Sequence, residues 1–153
     1  MTSGSDDSGT VPLRVSLLRS GAKLPERATV GSTGLDLYAC LEDEDVVVIG
    51  PDPTLVPTGV ALELPAGYDA QVRPRSGLTR RGVIVPLGTI DSDYRGEVMV
   101  TMYTVGTRDP YEVRTGDRIA QLVVARLTSV YLVMSAELSE TKRGHGGHGS
   151  TGD

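Results

Sequence analysis

Hydrophobic and polar residues alternate along this chain in many short runs, each bounded by residues that favour turns. Alternation with a period of two, in runs rich in valine, isoleucine, threonine and tyrosine, is typical of β-strands with one buried face. The pattern predicts strands at residues 13–17, 34–39, 46–49, 59–64, 68–73, 97–105, 118–126 and 130–133. Many short strands of this kind predict an all-β fold, such as a sandwich, jelly roll or barrel.

Helices have little room in this sequence, because the 153 residues include nine prolines and nineteen glycines. Residues 76–81 allow one turn of helix and little more. Residues 117–122 fit either a helix or a strand, and the following Val123 and Val124 favour the strand.

Composition divides the chain into three parts. Residues 1–10 are polar and rich in glycine, serine and aspartate, so we expect them to be disordered. Residues 11–138 contain the predicted strands and are long enough to form one β domain with an ordinary core. Residues 139–153 are rich in glycine, and we expect a flexible tail.

Charge and cysteine content narrow the function. The net charge of −5 argues against a nucleic-acid polymer as a partner, although local arginines can still hold a small anion. No apolar run approaches the roughly 18 residues of a membrane-spanning helix, so we expect no membrane contact. The single cysteine, Cys40, has no partner for an internal disulfide, which makes the cytoplasm the expected compartment.

Residues 88–96 crowd two aspartates, a tyrosine and an arginine between glycines. Like charges and glycines in one turn cost stability, so we interpret this segment as a site. Asp91 is a candidate general base for a water molecule beside a polyphosphate. Tyr94 offers a flat face to a sugar or base, and Asp93 is interpreted as a turn residue. The alternative is an acidic surface hairpin.

A second candidate site lies where the fifth predicted strand ends. Arg73 and Arg75, followed by Ser76 and Gly77, combine cations, a hydroxyl and exposed amides, which suits a phosphate. A strand end with solvated charges and a helix-capping serine explains the same residues equally well.

Arg118 and Gln121 follow a Gly-Asp turn signal. They are candidates for ligand contact, but turn chemistry and a satisfied polar side chain explain them better when they are taken alone. Their weight therefore depends on the other candidates.

The glycine-rich tail contains the spacing G-x-G-x-x-G, but no βαβ unit surrounds it, so it does not indicate a dinucleotide site. His145 and His148 lack the further ligands that a zinc site needs. A frayed terminus is the ordinary explanation. The order of Arg143, His148, Ser150 and Thr151 also fits a mobile lid with a phosphate clamp, a stacking face and hydroxyl donors.

The order of these segments resembles the five motifs of the trimeric dUTPase family. The segments are residues 32–39, 74–78, 88–96, 116–122 and 143–152, and the match extends from about residue 13 to residue 152. The resemblance implies a jelly-roll β subunit in a homotrimer, with three active sites at subunit interfaces. It also implies hydrolysis of dUTP to dUMP and pyrophosphate, with Mg²⁺ on the triphosphate.

The resemblance further implies a role for each matching residue. Asp91 would activate the water that attacks the α-phosphorus in line, Tyr94 would lie against the deoxyribose, and Asp36 would support the site. The remaining contacts would come from Arg75, Ser76, Gly77 and Gln121 on the phosphates, Arg143, Ser150 and Thr151 on the terminal phosphates, and His148 on uracil. Mg²⁺ would be held by the substrate and water, because no carboxylate cage is evident.

Two positions depart from the family pattern. His148 stands where the family usually has phenylalanine, so closure over the base is expected to be weaker and sensitive to pH. Residues 82–87, which would read uracil, contain no asparagine, whereas many members of the family have one there. Backbone amides and carbonyls can supply that recognition instead.

Two other functions fit parts of the pattern. The related dCTP deaminases carry a catalytic glutamate where this chain has Thr101, which cannot act as a base at neutral pH. A nucleotide-binding regulator without turnover, or a purely structural β trimer, would not need both Asp91 and the tail at residues 143–151. The resemblance therefore favours dUTP hydrolysis.

Overall fold

A computed structural model describes residues 9–106 and 109–146 of the chain. Within these ranges the fold consists of ten β-strands and one short helix. The strands are β1 (Arg14–Leu17), β2 (Leu35–Tyr38), β3 (Val47–Ile49), β4 (Thr54–Glu63), β5 (Tyr68–Arg73), β6 (Val83–Ile84), β7 (Gly88–Ile90), β8 (Glu97–Thr104), β9 (Tyr111–Val113) and β10 (Arg118–Arg126). The helix, α1, spans Ser76–Arg80.

Two four-stranded antiparallel sheets enclose the core. One has the strand order β1-β4-β8-β6 and the other β2-β10-β5-β7, while β3 and β9 form a small third sheet. Side chains from both large sheets meet in one apolar cluster, as the two inner faces of a β-sandwich do. Fully buried members of this cluster include Leu37, Val56, Val100, Met102 and Leu122.

Most of the predicted elements are confirmed. The prediction for β5 and β10 matches their observed bounds. Strands β1, β3 and β8 differ from it by one residue at one end, and β2 by one residue at each end. Strand β4 begins at Thr54, five residues before its predicted start, because Pro57 does not end it: the ladder to β8 shifts register between Pro57 and Ala61 instead. The single helical turn is confirmed at Ser76–Arg80.

The strand predicted at residues 130–133 is wrong. These residues are not part of any described sheet, and their side chains face solvent. Valine, leucine and tyrosine favour a strand, but a strand also needs a neighbour to complete its hydrogen bonds, and none of the described strands pairs with this segment. The hydrophobic pattern also did not predict β6, β7 and β9, which are only two or three residues long.

The boundaries expected at residues 10 and 138 stay predictions, and residues 1–8 lie outside the described part of the chain. Among the described residues, no helix is both long enough and apolar enough to cross a membrane.

Candidate active site

Asp91 lies in an exposed loop directly after β7. The loop closes through a hydrogen bond of 3.1 Å in which the Tyr94 amide donates to the Asp91 carbonyl. No hydrogen bond or ion pair to the Asp91 carboxylate is found among the described residues. This carboxylate is therefore free to accept a proton or to bind a water molecule.

Tyr94 is held in place by the residues that follow it. Its hydroxyl donates to the Glu97 carbonyl at 3.0 Å, and its ring folds back over Gly96, where a Cβ would lie 2.6 Å from the Tyr94 Cζ. Arg95 donates from Nη1 to the carbonyls of Ser92, at 2.7 Å, and Tyr94, at 3.0 Å. The loop is thus rigidly built, and the Tyr94 side chain is still 46% exposed.

The turn that leads from β5 into α1 contains Arg75, followed by Ser76 and Gly77, the first two residues of the helix. The Arg75 carbonyl accepts hydrogen bonds from the amides of Leu78, at 3.0 Å, and Thr79, at 3.1 Å. Because α1 begins at Ser76, the amides of Ser76 and Gly77 come before the first hydrogen-bonded amides of the helix and have no acceptor within it. Both residues are exposed, and Arg75, the N-cap residue, makes no side-chain capping bond, so donors at this turn remain available to an anion.

Asp36 on β2 joins this turn to β10. Its Oδ1 lies 3.1 Å from the Arg75 Nε and its Oδ2 lies 3.3 Å from the Arg118 Nη1. The Arg75 Nη1 also donates to the Arg118 carbonyl at 3.1 Å. The Asp36 side chain is only 12% exposed, whereas those of Arg75 and Arg118 are more accessible. One buried carboxylate thus orients two arginines whose remaining N–H groups face outward.

A cleft opens beside Arg75 and Gly77, and Arg81 and Arg118 also line it. The Arg81 guanidinium lies 4.7 Å from the centroid of the Tyr111 ring. Because Asp36 is shared between Arg75 and Arg118, the cleft keeps a positive charge that attracts anions.

Tyr38 forms another wall of this cleft. Its hydroxyl donates to the Glu26 carboxylate at 2.7 Å, and the Lys23 Nζ lies 5.1 Å from its ring centroid. The hydrogen bond to Glu26, together with burial, raises the pKa of Tyr38 above its ordinary value. The hydroxyl therefore stays protonated at neutral pH and adds no negative charge to the cleft.

Gln121 stands in the middle of the sheet, between Asp36 on β2 and Arg73 on β5. Its Nε2 donates to the Pro74 carbonyl at 2.9 Å, which directs the amide towards the turn that carries Arg75. Gly34 makes room for it, because a Cβ at Gly34 would lie 2.9 Å from the Gln121 Cβ. The structure thus brings together Asp36, Arg75, Ser76, Gly77 and Gln121.

The same sheet keeps Asp91 away from that cluster. In the antiparallel pair of β5 and β7, Ala70 is opposite Ile90 and Val72 is opposite Gly88. Asp91 is therefore level with Asp69, near the Tyr68 end of β5, whereas Arg75 lies past its Arg73 end. At about 3.3 Å per residue, the two are separated by roughly 20 Å along the sheet. Within one chain the acidic loop and the turn that carries Arg75 therefore lie apart.

Arg143 does not reach either group of residues. Its recorded contact is local, a hydrogen bond of 2.8 Å from Nε to the Gly146 carbonyl. His148, Ser150 and Thr151 lie outside the described residues.

Arg118 is a candidate from the sequence, and the structure places it beside Asp36 and Arg75. The sequence does not indicate Arg19 as a candidate. Arg19 binds Glu97, immediately after the acidic loop, through contacts of 2.6 Å. No local pattern indicates that pair, because Arg19 and Glu97 are 78 positions apart.

Fold and site together define an all-β domain with an arginine-rich cluster at one end of a sheet and an acidic loop at the other. The model of the dUTPase family matches residues 20–152. The chain therefore belongs to the dUTPase family.

Curated relatives and solved structures agree with this family. A deoxyuridine 5'-triphosphate nucleotidohydrolase of Hydrogenobaculum sp. is 49% identical over 144 residues, which is 92% of this chain and 97% of the relative. The protein of the same name from Treponema denticola is 47% identical over 88% of this chain and 94% of its own length. A mutant of the dUTPase of Staphylococcus bacteriophage 80alpha with dUpNHpp superposes with a TM-score of 0.80, at 25% identity, over 94% of this chain and 100% of that chain.

Proposed function

We propose that this protein hydrolyses dUTP to dUMP and pyrophosphate, and that each active site combines residues from different copies of the chain. The observation that carries the proposal is the separation of the two halves of the site. Asp91 and Tyr94 occupy one end of the sheet, and the Asp36–Arg75 pair occupies the other. Two copies arranged side by side supply both halves to one substrate.

The chemistry needs little more than these groups. The exposed Asp91 carboxylate accepts a proton from a water molecule, whose oxygen attacks the α-phosphorus in line. A new P–O bond forms to the water oxygen, and the bond between the α-phosphorus and the bridging oxygen breaks. Pyrophosphate leaves with that oxygen. Positioning and charge neutralisation dominate such transfers, which suits a site that consists mainly of arginines and amides.

Phosphate binding falls to the second copy. Its Arg75, oriented by Asp36, grips phosphate oxygens, and the exposed amides of Ser76 and Gly77 complete the contact. Gln121, directed towards the same turn, adds a further donor. Because Asp36 occupies one edge of the Arg75 guanidinium, the remaining N–H groups are aimed at the ligand rather than free to rotate.

Tyr94 selects deoxyribose over ribose. Its ring is folded over Gly96 and tied to the Glu97 carbonyl, so it forms a fixed wall against which deoxyribose fits and a 2′-hydroxyl does not. Uracil lies against backbone groups of residues 82–87, and His148 covers it from the tail.

The tail at residues 139–153 closes over the bound substrate. Arg143, Ser150 and Thr151 clamp the terminal phosphates, and closure excludes water from the site. The contact of Arg143 with Gly146 is local and easily exchanged for a phosphate.

Mg²⁺ accompanies the triphosphate. Within the described ranges no group of three or more histidine, cysteine, aspartate or glutamate side chains is placed to hold a metal ion. Phosphate oxygens and water are the ligands that Mg²⁺ prefers, and the free Asp91 carboxylate is an oxygen donor that can bind one of those waters. When bound, the ion neutralises charge on the triphosphate.

The assembly is a homotrimer. Residues 130–134, which we call the apolar strip, are not covered by any of the described residues of their own chain, and such surfaces mark interfaces. Their exposed fractions are 76% for Val130, 88% for Tyr131, 95% for Leu132, 73% for Val133 and 100% for Met134. A second copy covers this strip. The free, buried thiol of Cys40 agrees with a reducing compartment, and we place the enzyme in the cytoplasm.

A substrate panel tests the function. Pyrophosphate release is measured with dUTP, dCTP, dTTP and UTP, and ammonia is measured in parallel. We expect release from dUTP alone at low concentration, without ammonia. Ammonia from dCTP would identify a deaminase, and tight dUTP binding without any release would identify a regulator.

A further inference from the structure

Arg19, in the segment after β1, is the centre of a polar cluster at the start of β8. Its guanidinium binds the Glu97 carboxylate through both oxygens, with Nη1–Oε1 and Nη2–Oε2 distances of 2.6 Å. It also contacts Glu42, at 2.6 Å, and the Cys40 carbonyl, at 3.3 Å. The side chains of Arg19 and Glu97 are 21% and 18% exposed, so this pair is largely shielded from water.

The pair lies beside an irregularity in the sheet. The ladder between β4 and β8 shifts register between Pro57 and Ala61, and Ala61 is opposite Glu97. At this irregularity the Gly59 amide donates to the Glu97 Oε1 at 2.7 Å. The Glu97 side chain therefore replaces a missing ladder bond, and Arg19 holds that side chain in place.

The backbone of Glu97 in turn anchors Tyr94. The Tyr94 hydroxyl donates to the Glu97 carbonyl at 3.0 Å. Gly96, between them, has no side chain that would keep the ring away. A shift of the Glu97 backbone therefore moves the point to which the Tyr94 ring is attached.

From this chain of contacts we infer that Arg19 is a positioning residue for sugar selection: through Glu97 it sets the place of Tyr94, and thereby the discrimination between deoxyribose and ribose. The inference rests on the proposed role of Tyr94 as the wall against the sugar. Arg19 itself does not touch the substrate. Its effect is on the difference between dUTP and UTP rather than on the chemical step.

The first test compares Arg19→Met with Arg14→Met. Arg14 is a matched control, because it forms an exposed pair with Glu63 at 3.5 Å on the neighbouring strands β1 and β4. We expect the ratio of kcat/KM for dUTP to kcat/KM for UTP to fall roughly tenfold in Arg19→Met, since even a 1 Å misplacement can cost about a hundredfold. Arg14→Met should keep the ratio of the unmodified protein. Arg19→Lys, which keeps the charge but not the two parallel bonds, should recover part of it.

A double-mutant cycle tests whether Arg19 acts through Glu97 and Tyr94. Tyr94→Phe removes the hydroxyl that reaches Glu97, so it should lower the dUTP/UTP ratio by itself. Once that link is absent, adding Arg19→Met should lower the ratio little further, because the two residues act through one contact. Full additivity of the two effects would overturn the inference. If Arg19→Met does not fold, Arg19→Lys takes its place in the cycle.

Tyr94→Ala separates the failure of this inference from the failure of the proposed function. An unchanged dUTP/UTP ratio in Tyr94→Ala would mean that Tyr94 does not select the sugar, and the inference about Arg19 would fail with that role. The proposed hydrolysis fails separately, if the unmodified protein releases no pyrophosphate from dUTP. A lowered ratio in Tyr94→Ala with an unchanged ratio in Arg19→Met, even if the melting temperature drops, would reduce Arg19 to a structural role and leave the proposed function standing.

Discussion

Asp36 and Arg75 form an ion pair in which the Asp36 Oδ1 lies 3.1 Å from the Arg75 Nε. The other oxygen of the same carboxylate is 3.3 Å from Arg118, so both arginines depend on one largely buried side chain. The Asp36 side chain is itself largely shielded from solvent. Its effect is to aim positive charge at the cleft.

Asp36→Asn should therefore weaken substrate binding more than it affects turnover. The amide keeps the shape but loses the charge that orients Arg75 and Arg118. We expect KM for dUTP to rise roughly tenfold and the free energy of unfolding to fall by about 1–2 kcal/mol, the size of a lost bond to a charged group. Steady-state kinetics and urea unfolding measure both. Glu63→Gln, in the exposed pair with Arg14, is the control and should change neither; equal effects in the two variants would contradict the role of Asp36.

Mixed oligomers should reveal the composite site. Asp91→Asn removes the proton acceptor and should lower kcat by about a hundredfold or more, and Arg75→Gln should raise KM strongly. After unfolding and refolding together, the two variants should regain activity, because some sites then combine an intact Asp91 from one copy with an intact Arg75 from another.

The control for this experiment is a mixture of Asp91→Asn with Tyr94→Ala. Asp91 and Tyr94 lie in the same loop, and each site takes that loop from a single copy. Every site in the mixture therefore carries one of the two changes, and activity should not return. Recovery in the control as well, or in neither mixture, would show that the halves of the site do not come from different copies.

Gly34 should be essential for the position of Gln121. In Gly34→Ala the added Cβ would lie 2.9 Å from the Gln121 Cβ, which is too close, so Gln121 must move away from Pro74. We expect KM for dUTP to rise several-fold and stability to fall by about 1–3 kcal/mol, as overpacking does. Gly31→Ala is the matched control, because nothing lies within 4 Å of a Cβ there. Similar kinetics for the two variants would exclude the crowding argument.

The pair of Arg19 and Glu97 should stabilise the fold only while Glu97 is charged. The hydrogen bonds from Arg19 lower the pKa of the Glu97 carboxyl below its ordinary value near 4.5. A group whose pKa is lower in the folded state contributes stability above its unfolded pKa and loses that contribution as pH falls through the folded pKa.

Arg19→Met should accordingly lower the free energy of unfolding by about 2–3 kcal/mol at neutral pH, because it leaves a shielded carboxylate unpaired. The difference from the unmodified protein should shrink steadily below about pH 4.5, as the carboxyl becomes neutral. Urea unfolding over a series of pH values measures this difference. A difference independent of pH would mean that packing, rather than charge, accounts for the effect of Arg19.

Local patterns account for much of the fold. The alternation in β8 and β10 and the turn residues that flank β5 place these strands from sequence to within one residue. Strands β6, β7 and β9 escape prediction because two or three residues contain no measurable period. Residues 130–133 show the opposite error: strand-forming residues do not make a strand here, because none of the described strands pairs with them.

For the site, the residue types and their motifs are readable from the amino-acid sequence, because a base, arginines and turn amides are what a phosphate ester requires. Which of them meet is a matter of strand order and register. The order β2-β10-β5-β7 places Asp36 beside Gln121 and sends Asp91 to the far end of the same sheet. The pairing of Arg19 with Glu97 likewise depends on distant strands. Alternation and turn chemistry depend on residues that are close in sequence. Strand order and register depend on the packing of the whole core, so only the tertiary structure decides which site residues meet.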